Sequence, residues 1–220
     1  MFIKICGITS EEDGLLAVAM GADAVGFLFA PSPRRISPSL ARDIARRLPP
    51  EILTVGVFRN EDPRNVVRIA NQARLGAVQL HGRESPEETM RVRQQVGRVI
   101  KAFRAGSEEL EQAKSYGADI VLVDADEPGS GKVFDWALAE RAAGSLPVML
   151  AGGLTPENVA AAISKTRPWG VDVSTGVESS PGQKDPRLVR EFISAARLVA
   201  AELEGTEPPS GALYDWQSEF

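Results

Sequence analysis

Lys4 and Cys6 stand two residues apart in the opening stretch Phe2-Ile3-Lys4-Ile5-Cys6-Gly7-Ile8-Thr9, which reads as a buried strand running into a glycine turn and a helix start. Side chains alternate along a strand, so Phe2, Lys4 and Cys6 share one side while Ile3 and Ile5 share the other. An ammonium and the chain's single thiol therefore face the same interior. An unpaired buried charge is costly, whereas a cation beside a thiol favours the thiolate. On this segment alone a small, inert, buried cysteine is the simpler reading. Further along, Gly152-Gly153 lets backbone N–H groups approach a ligand closely, and Ser174-Thr175-Gly176 offers more donors. Arg34, His81 and Asp124 are the other polar candidates. Taken singly, each has an ordinary explanation: a solvated side chain, a turn residue and a helix cap.

The elements that must position these residues alternate without interruption. Apolar runs at 2–6, 24–29, 53–58, 77–80, 98–103, 119–124, 146–151 and 169–173 read as strands. Helical patterns lie between and after them, at 10–21, 37–48, 62–74, 85–96, 107–116, 134–143, 155–164 and 185–203. Several helices are announced by a cap, as in Ser10-Glu11-Glu12-Asp13, or by Ser or Asp followed by Pro, as in Ser37-Pro38 and Ser85-Pro86. Strands written as unbroken apolar runs are buried on both faces, as in parallel sheets with helical crossovers. Eight such units in about 200 residues predict a single-domain α/β fold, a (β/α)8 TIM barrel over 1–203, whose active site lies at the carboxyl ends of the strands. A doubly wound open sheet is the competing architecture, but no strand reads as an edge strand. Residues 204–220 differ in composition, with Pro208-Pro209-Ser210-Gly211 ahead of Tyr214, Trp216 and Phe220, and read as a flexible tail.

Composition narrows the function classes. The 220 residues are 43% hydrophobic, enough for a sizeable core, and the net charge of −5 is spread through the chain. That pattern announces neither a nucleic-acid nor a membrane surface. One cysteine excludes an internal disulfide, and one His with one Cys cannot supply a structural zinc site. The start lacks the basic region and apolar run of a signal peptide, and no apolar stretch is long enough to span a bilayer. A soluble cytoplasmic protein is expected.

On a barrel, the polar candidates converge on one mouth. Strand one ends in Cys6, strand two leads to Ser32-Pro33-Arg34-Arg35, and strand four runs into Gln79-Leu80-His81-Gly82. Strand six ends in Asp124, strand seven in Ala151-Gly152-Gly153-Leu154, and strand eight carries Asp172-Val173-Ser174-Thr175-Gly176-Val177-Glu178. The loops after strands seven and eight frequently bind phosphate in such barrels. By contrast, Gly129-Ser130-Gly131-Lys132 lacks the full spacing of a nucleotide phosphate loop, and Val133 stands where that loop needs Ser or Thr. It reads as a flexible lid.

Together, Lys4 to Thr9, Gly26-Phe27 through Arg34, Gln79 to Gly82, Gly129 to Trp136, Ala151 to Leu154 and Asp172 to Glu178 resemble the phosphoribosylanthranilate isomerases of tryptophan biosynthesis. The resemblance covers about residues 1–200 in the same order. Thr175 stands where that family often has a second Ser, and the tail has no counterpart. The resemblance implies an Amadori rearrangement of N-(5-phosphoribosyl)anthranilate to 1-(2-carboxyphenylamino)-1-deoxyribulose 5-phosphate, with Asp124 as general acid and Cys6 as general base.

That chemistry requires Cys6 as thiolate, against an ordinary thiol pKa of about 8.5, and Asp124 holding a proton, against an ordinary value of about 3.9. Lys4 would help Cys6 unless Asp172 on strand eight pairs with it instead. The resemblance further implies Arg34 on the anthranilate carboxylate, Asp172 in contact with substrate and His81 lining the mouth. Gly152, Gly153, Ser174, Thr175 and Gly176 would hold the phosphate. The reaction is proton transfer throughout, so neither a metal nor an organic cofactor is expected. The expected partner is a small phosphorylated substrate, with no nucleic acid or membrane, in a monomer or homodimer. Two alternatives remain: the related sugar-phosphate isomerase of histidine biosynthesis, whose first strand ends in Asp where this chain has Cys6, and a non-catalytic phosphate-binding barrel.

Overall fold

The computed structural model describes residues 1–124, 144 and 146–205. Its strands are β1 (Phe2–Cys6), β2 (Ala24–Leu28), β3 (Leu53–Phe58), β4 (Ala77–Leu80), β5 (Val99–Arg104), β6 (Ile120–Asp124), β7 (Val148–Ala151) and β8 (Gly170–Val173). They close into a barrel in sequence order, with every pair parallel and β8 returning to β1. Closure removes both edges, which is why no strand carries an edge signature. The described helices are α1 (Glu11–Ala19), α2 (Pro38–Ala45), α3 (Pro63–Ala73), α4 (Pro86–Arg93), α5 (Glu108–Glu111), α6 (Val159–Thr166) and α7 (Pro186–Glu204). The predicted helix at 134–143, the loop at 129–132 and most of the tail lie outside the described residues.

The helix starts follow from their caps. Ser10, Ser37, Ser85 and Ser107 each accept a backbone N–H three residues on, Asp62 and Asp185 accept one two residues on, and Ser85 forms a reciprocal capping box with Glu88. Pro in the first turn of α2, α3, α4 and α7 forfeits an N–H that would be unpaired there in any case.

Two predicted helices differ from expectation. The segment 107–116 is not one α-helix: α5 ends after one turn and Ala113–Tyr116 continue as a 3-10 helix. Its buried residues Leu110, Ala113 and Tyr116 recur every third position, and a 3-10 helix with three residues per turn stacks them directly above one another. The helix expected from Thr155 begins at Val159, because Asn158 is used in the preceding turn. Its Oδ1 accepts the Thr155 N–H at 2.8 Å and its Nδ2 donates to the Gly153 carbonyl at 3.0 Å.

The core has two layers. Ile3, Ile5, Val25, Phe27, Val78, Leu80, Val121, Val123, Val171 and Val173 face outward beneath the helices. Ala24, Val55, Ala77, Ile100, Ala102, Ile120, Leu122, Met149 and Ala151 fill the barrel, with Phe2 packed against them. By alternation Lys4 and Cys6, Gln79, Asp124 and Asp172 also point inward.

A feature with no counterpart in the strand-helix pattern follows β8. Thr175–Val177 form a 3-10 turn, and β9 (Glu178–Ser180) then pairs antiparallel with β10 (Gln183–Lys184). Pro181-Gly182 makes the bend, with Gly182 at φ 86°, where a side chain would be strained. The hairpin folds back over the start of the chain: the Thr9 hydroxyl donates to the Gly182 carbonyl, and the Lys184 N–H donates to Asp13 Oδ2 at 3.3 Å. Among the described residues no helix is long and apolar enough to cross a membrane.

Candidate active site

Inside the barrel, Lys4 and Asp172 are register partners on β1 and β8, and the Lys4 ammonium donates to Asp172 Oδ1 at 2.8 Å. Cys6 lies one inward step nearer the mouth, a free and buried thiol. Its register partner is Gly26 on β2. Burial pushes the Cys6 thiol above its ordinary value, and the Asp172 carboxylate adds to the push, while Lys4 and Lys184 pull against it without reversing it. Burial alone would lower the Lys4 ammonium, but Asp172 and Cys6 outweigh it and hold Lys4 above the ordinary lysine value. The pairing of Lys4 with Asp172, expected as an alternative to its help for Cys6, does not exclude that help: the ammonium donates to Asp172 and still pulls the thiol toward the thiolate. On balance the Cys6 thiol stays above its ordinary value in the ligand-free site.

At β4 and β6, His81 Nε2 and Asp124 Oδ2 are 3.0 Å apart, and Gln79 Nε2 lies 2.8 Å from His81 Nδ1. The imidazole thus bridges the Gln79 amide and the Asp124 carboxyl, with one ring nitrogen to each. Gln79 Oε1 is buried without a partner among the described residues. The His81 backbone N–H donates to the Phe58 carbonyl at 2.8 Å, tying the residue to the end of β3.

Arg34 does not stand free. Its Nε donates to Glu178 Oε1 at 2.7 Å and its Nη2 to Glu178 Oε2 at 2.6 Å, a two-bond fork across the mouth. Lys184 completes the cluster, donating to Glu178 Oε1 at 3.0 Å and to the Ser174 carbonyl at 3.1 Å. Burial pushes the Glu178 carboxyl up, yet the hydrogen bonds from Arg34 and Lys184 prevail and leave it below the usual carboxylate range. Burial in turn lowers the Lys184 ammonium from the ordinary lysine value, against the pull of Glu178.

The loops after β7 and β8 interlock. Gly152 and Gly153 have φ of 90° and 50°, in the left-handed region that glycine adopts freely. At Gly176 a Cβ would collide with the Leu154 carbonyl, so the β8 loop lies directly on the chain leaving β7. At Gly7, just past Cys6, a Cβ would stand 2.8 Å from Arg34 Cδ, 2.9 Å from Ser174 Oγ and 3.5 Å from Lys184 Nζ. Gly7 is thus the point where the ends of β1, β2 and β8 meet.

The residues singled out in the sequence all stand at this one mouth, with Asp172 set deepest. The pattern missed Glu178 as a site residue and missed Lys184 altogether. The signal was present in Pro181-Gly182, a turn marker that brings Lys184 back beside Glu178. Gln79 was seen as part of a motif but given no role. Among the described residues no group of three or more metal-ligating side chains comes together.

Known proteins place this arrangement. Residues 3–195 match the family model described as N-(5'phosphoribosyl)anthranilate (PRA) isomerase. The N-(5'-phosphoribosyl)anthranilate isomerase of Desulforudis audaxviator is 54% identical over 202 residues, covering 89% of this chain and 97% of that protein. A crystal structure of a phosphoribosyl anthranilate isomerase in complex with reduced 1-(o-carboxyphenylamino)-1-deoxyribulose 5-phosphate superposes with a TM-score of 0.79 at 44% identity, over 89% of this chain and 98% of that one. Monomers generated from the dimeric enzyme of Thermotoga maritima superpose with a TM-score of 0.78 at 43% identity, again over 89% and 98%. On identity and coverage of this extent, joined to the barrel and the residues at its mouth, the chain belongs to the N-(5'-phosphoribosyl)anthranilate isomerase family of enzymes.

Proposed function

We propose that this protein rearranges N-(5-phosphoribosyl)anthranilate into 1-(2-carboxyphenylamino)-1-deoxyribulose 5-phosphate, with Cys6 as base and Asp124 as acid. The observation that carries the assignment is the placement of these two groups. Each faces inward at the carboxyl end of its strand, on β1 and β6, separated around the ring by β7 and β8. A substrate lying across the mouth is flanked by both.

The reaction needs one proton given and one taken. Asp124 protonates the ring oxygen, the C1′–oxygen bond breaks, and the anilino nitrogen takes up the developing charge as an iminium. Cys6, as thiolate, removes the hydrogen from C2′, and the electron pair neutralises the iminium to give an enolamine. Tautomerisation to the ketone closes the sequence without any change of oxidation state overall. His81 holds Asp124 in place through Nε2. Lys4 favours the thiolate of Cys6, and Asp172, with Oδ1 taken by Lys4, offers its other oxygen to the ribose.

Binding is divided between the two ends of the substrate. The Arg34 fork to Glu178 uses Nε and one Nη2 hydrogen, which leaves the Nη1–Nη2 edge for the anthranilate carboxylate. Gly152, Gly153, Ser174, Thr175 and Gly176 receive the phosphate, so binding energy remote from the reacting carbons positions them.

The test is loss of substrate fluorescence on adding enzyme to freshly generated phosphoribosylanthranilate, beside Cys6→Ala and Asp124→Asn. Turnover by the wild type with both variants slowed by orders of magnitude is expected. No turnover by the folded wild type would remove the isomerase reading.

A further inference from the structure

Lys184 is a buried charge at the barrel mouth that the reaction as written does not use. Its side chain is 0% exposed, on a two-residue strand whose backbone is pinned to Asp13 at the start of α1. Burying an ammonium is expensive, and an apolar side chain would close the hairpin without that penalty. What the ammonium gains is two partners with different tasks: Glu178, which holds Arg34, and the Ser174 carbonyl, which belongs to the phosphate loop.

The charges decide what the first contact does. Arg34 and Glu178 alone form a closed pair with no net charge, and a neutral pair attracts a second carboxylate weakly. Lys184 makes the cluster cation, anion, cation, with one positive charge in surplus on the Arg34 side. The second contact fixes a direction. Carbonyl and N–H point oppositely across a trans peptide, so a Ser174 carbonyl turned to Lys184 sends the Thr175 N–H away from it. Gly7 packs against Arg34, Ser174 and Lys184 at once, with no room for a side chain.

We propose that Lys184 is a positioning residue for substrate, keeping the charge of Arg34 available to the aromatic carboxylate while locking that group to the phosphate loop at a fixed span. This deepens the isomerase reading and rests on it: the selected ligand is a sugar phosphate bearing an aromatic carboxylate at its far end.

The test compares KM, kcat and competitive inhibition by anthranilate in the wild type, Lys184→Met, Glu178→Gln and the double variant. Lys184→Met is expected to raise KM about 10-fold or more, the scale of one charge-assisted hydrogen bond, with a smaller change in kcat, and to weaken anthranilate by a similar factor. The double variant restores the surplus charge on Arg34, so it is expected to regain most of the anthranilate binding lost by Lys184→Met. A hairpin staple would not recover when its second bond is also removed. Unchanged KM in Lys184→Met, or a double variant no better than the single, overturns the proposal while leaving the isomerase reading intact. Should Lys184→Met not fold, Glu178→Gln carries the test. With two cations and no carboxylate in the cluster, anthranilate must bind more tightly and with a steeper salt dependence, and weaker or unchanged binding overturns the proposal. Absence of turnover in the wild type is the separate result that removes the underlying reading.

Discussion

The sulfur of Cys6 lies 2.7 Å from where a Cβ on Gly26 would stand, so the thiol fills the space that a side chain on the neighbouring strand would need. Gly26→Ala therefore pushes against Sγ rather than against a flexible chain end, since the Cys6 Cα and Cβ would be only 3.2 and 3.3 Å away. Overpacking of this kind costs about 1–3 kcal/mol of stability. The expected signature is a modest loss in chemical denaturation with a disproportionate loss of kcat, because the displaced atom is the proposed base. Equal kcat in Gly26→Ala would show that the position of the thiol is not critical.

Lys4 and Asp172 act on Cys6 in opposite senses, the ammonium favouring the thiolate and the carboxylate opposing it. The alkaline rise of kcat/KM is expected above the ordinary thiol value of about 8.5 in the wild type, since burial prevails. Lys4→Met moves that rise to higher pH, and Asp172→Asn moves it lower. Each single change also disrupts a buried pair, at a cost of about 3–5 kcal/mol when one charge is left unpaired, so both need checking for folding before their pH profiles are compared. The same raised thiol has a consequence for stability. The folded chain holds the Cys6 proton more tightly than the unfolded chain, so its contribution is complete below the unfolded thiol value and is lost as pH rises through the folded one. Denaturation of Cys6→Ser across that window should show a smaller alkaline decline than the wild type.

Lys101 carries a third buried ammonium, on the outward face of β5 and 2% exposed. It donates to the Gly82 and Ala102 carbonyls at 2.9 and 3.0 Å and to Glu84 Oε2 at 3.1 Å, and Glu84 accepts the N–H groups of Asn60 and Gly82 at 2.8 and 2.9 Å. This network fixes the loop on which His81 rides. Lys101→Met is expected to destabilise the fold by about 3–5 kcal/mol by leaving Glu84 unpaired, and pairing it with Glu84→Gln should recover a large part. Equilibrium denaturation of the two variants checks this. A double variant as unstable as the single would show that the ion pair is not what holds the loop.

The barrel was legible because its strands are apolar on both faces and its helices begin on capped Ser-Pro or Asp-Pro steps, signals that are local and survive without tertiary context. Cys6 and Lys4 were legible for the same reason: a period of two on one strand places them together. The break in 107–116 was not, because the three-residue spacing of Leu110, Ala113 and Tyr116 fits an α-helical face almost as well, and the distinction rests on packing against β5. Lys184 was hidden differently. It lies 150 residues from Arg34, and only the folded β8 loop brings the two together on the Glu178 carboxylate. A charged residue in a Pro-Gly loop reads as solvated until its burial is known.

The central claim is that Asp124 and Cys6 perform two separate proton transfers on one substrate. Single-turnover kinetics with substrate deuterated at C2′ tests it most directly. In Cys6→Ser, a poorer base makes removal of that hydrogen limiting, and the account predicts a large slowing by deuterium. In Asp124→Asn, ring opening becomes limiting before the C–H bond is touched, and the predicted isotope effect is close to none. The same isotope effect in both variants, or a larger one in Asp124→Asn, would contradict the assignment of base to Cys6 and acid to Asp124.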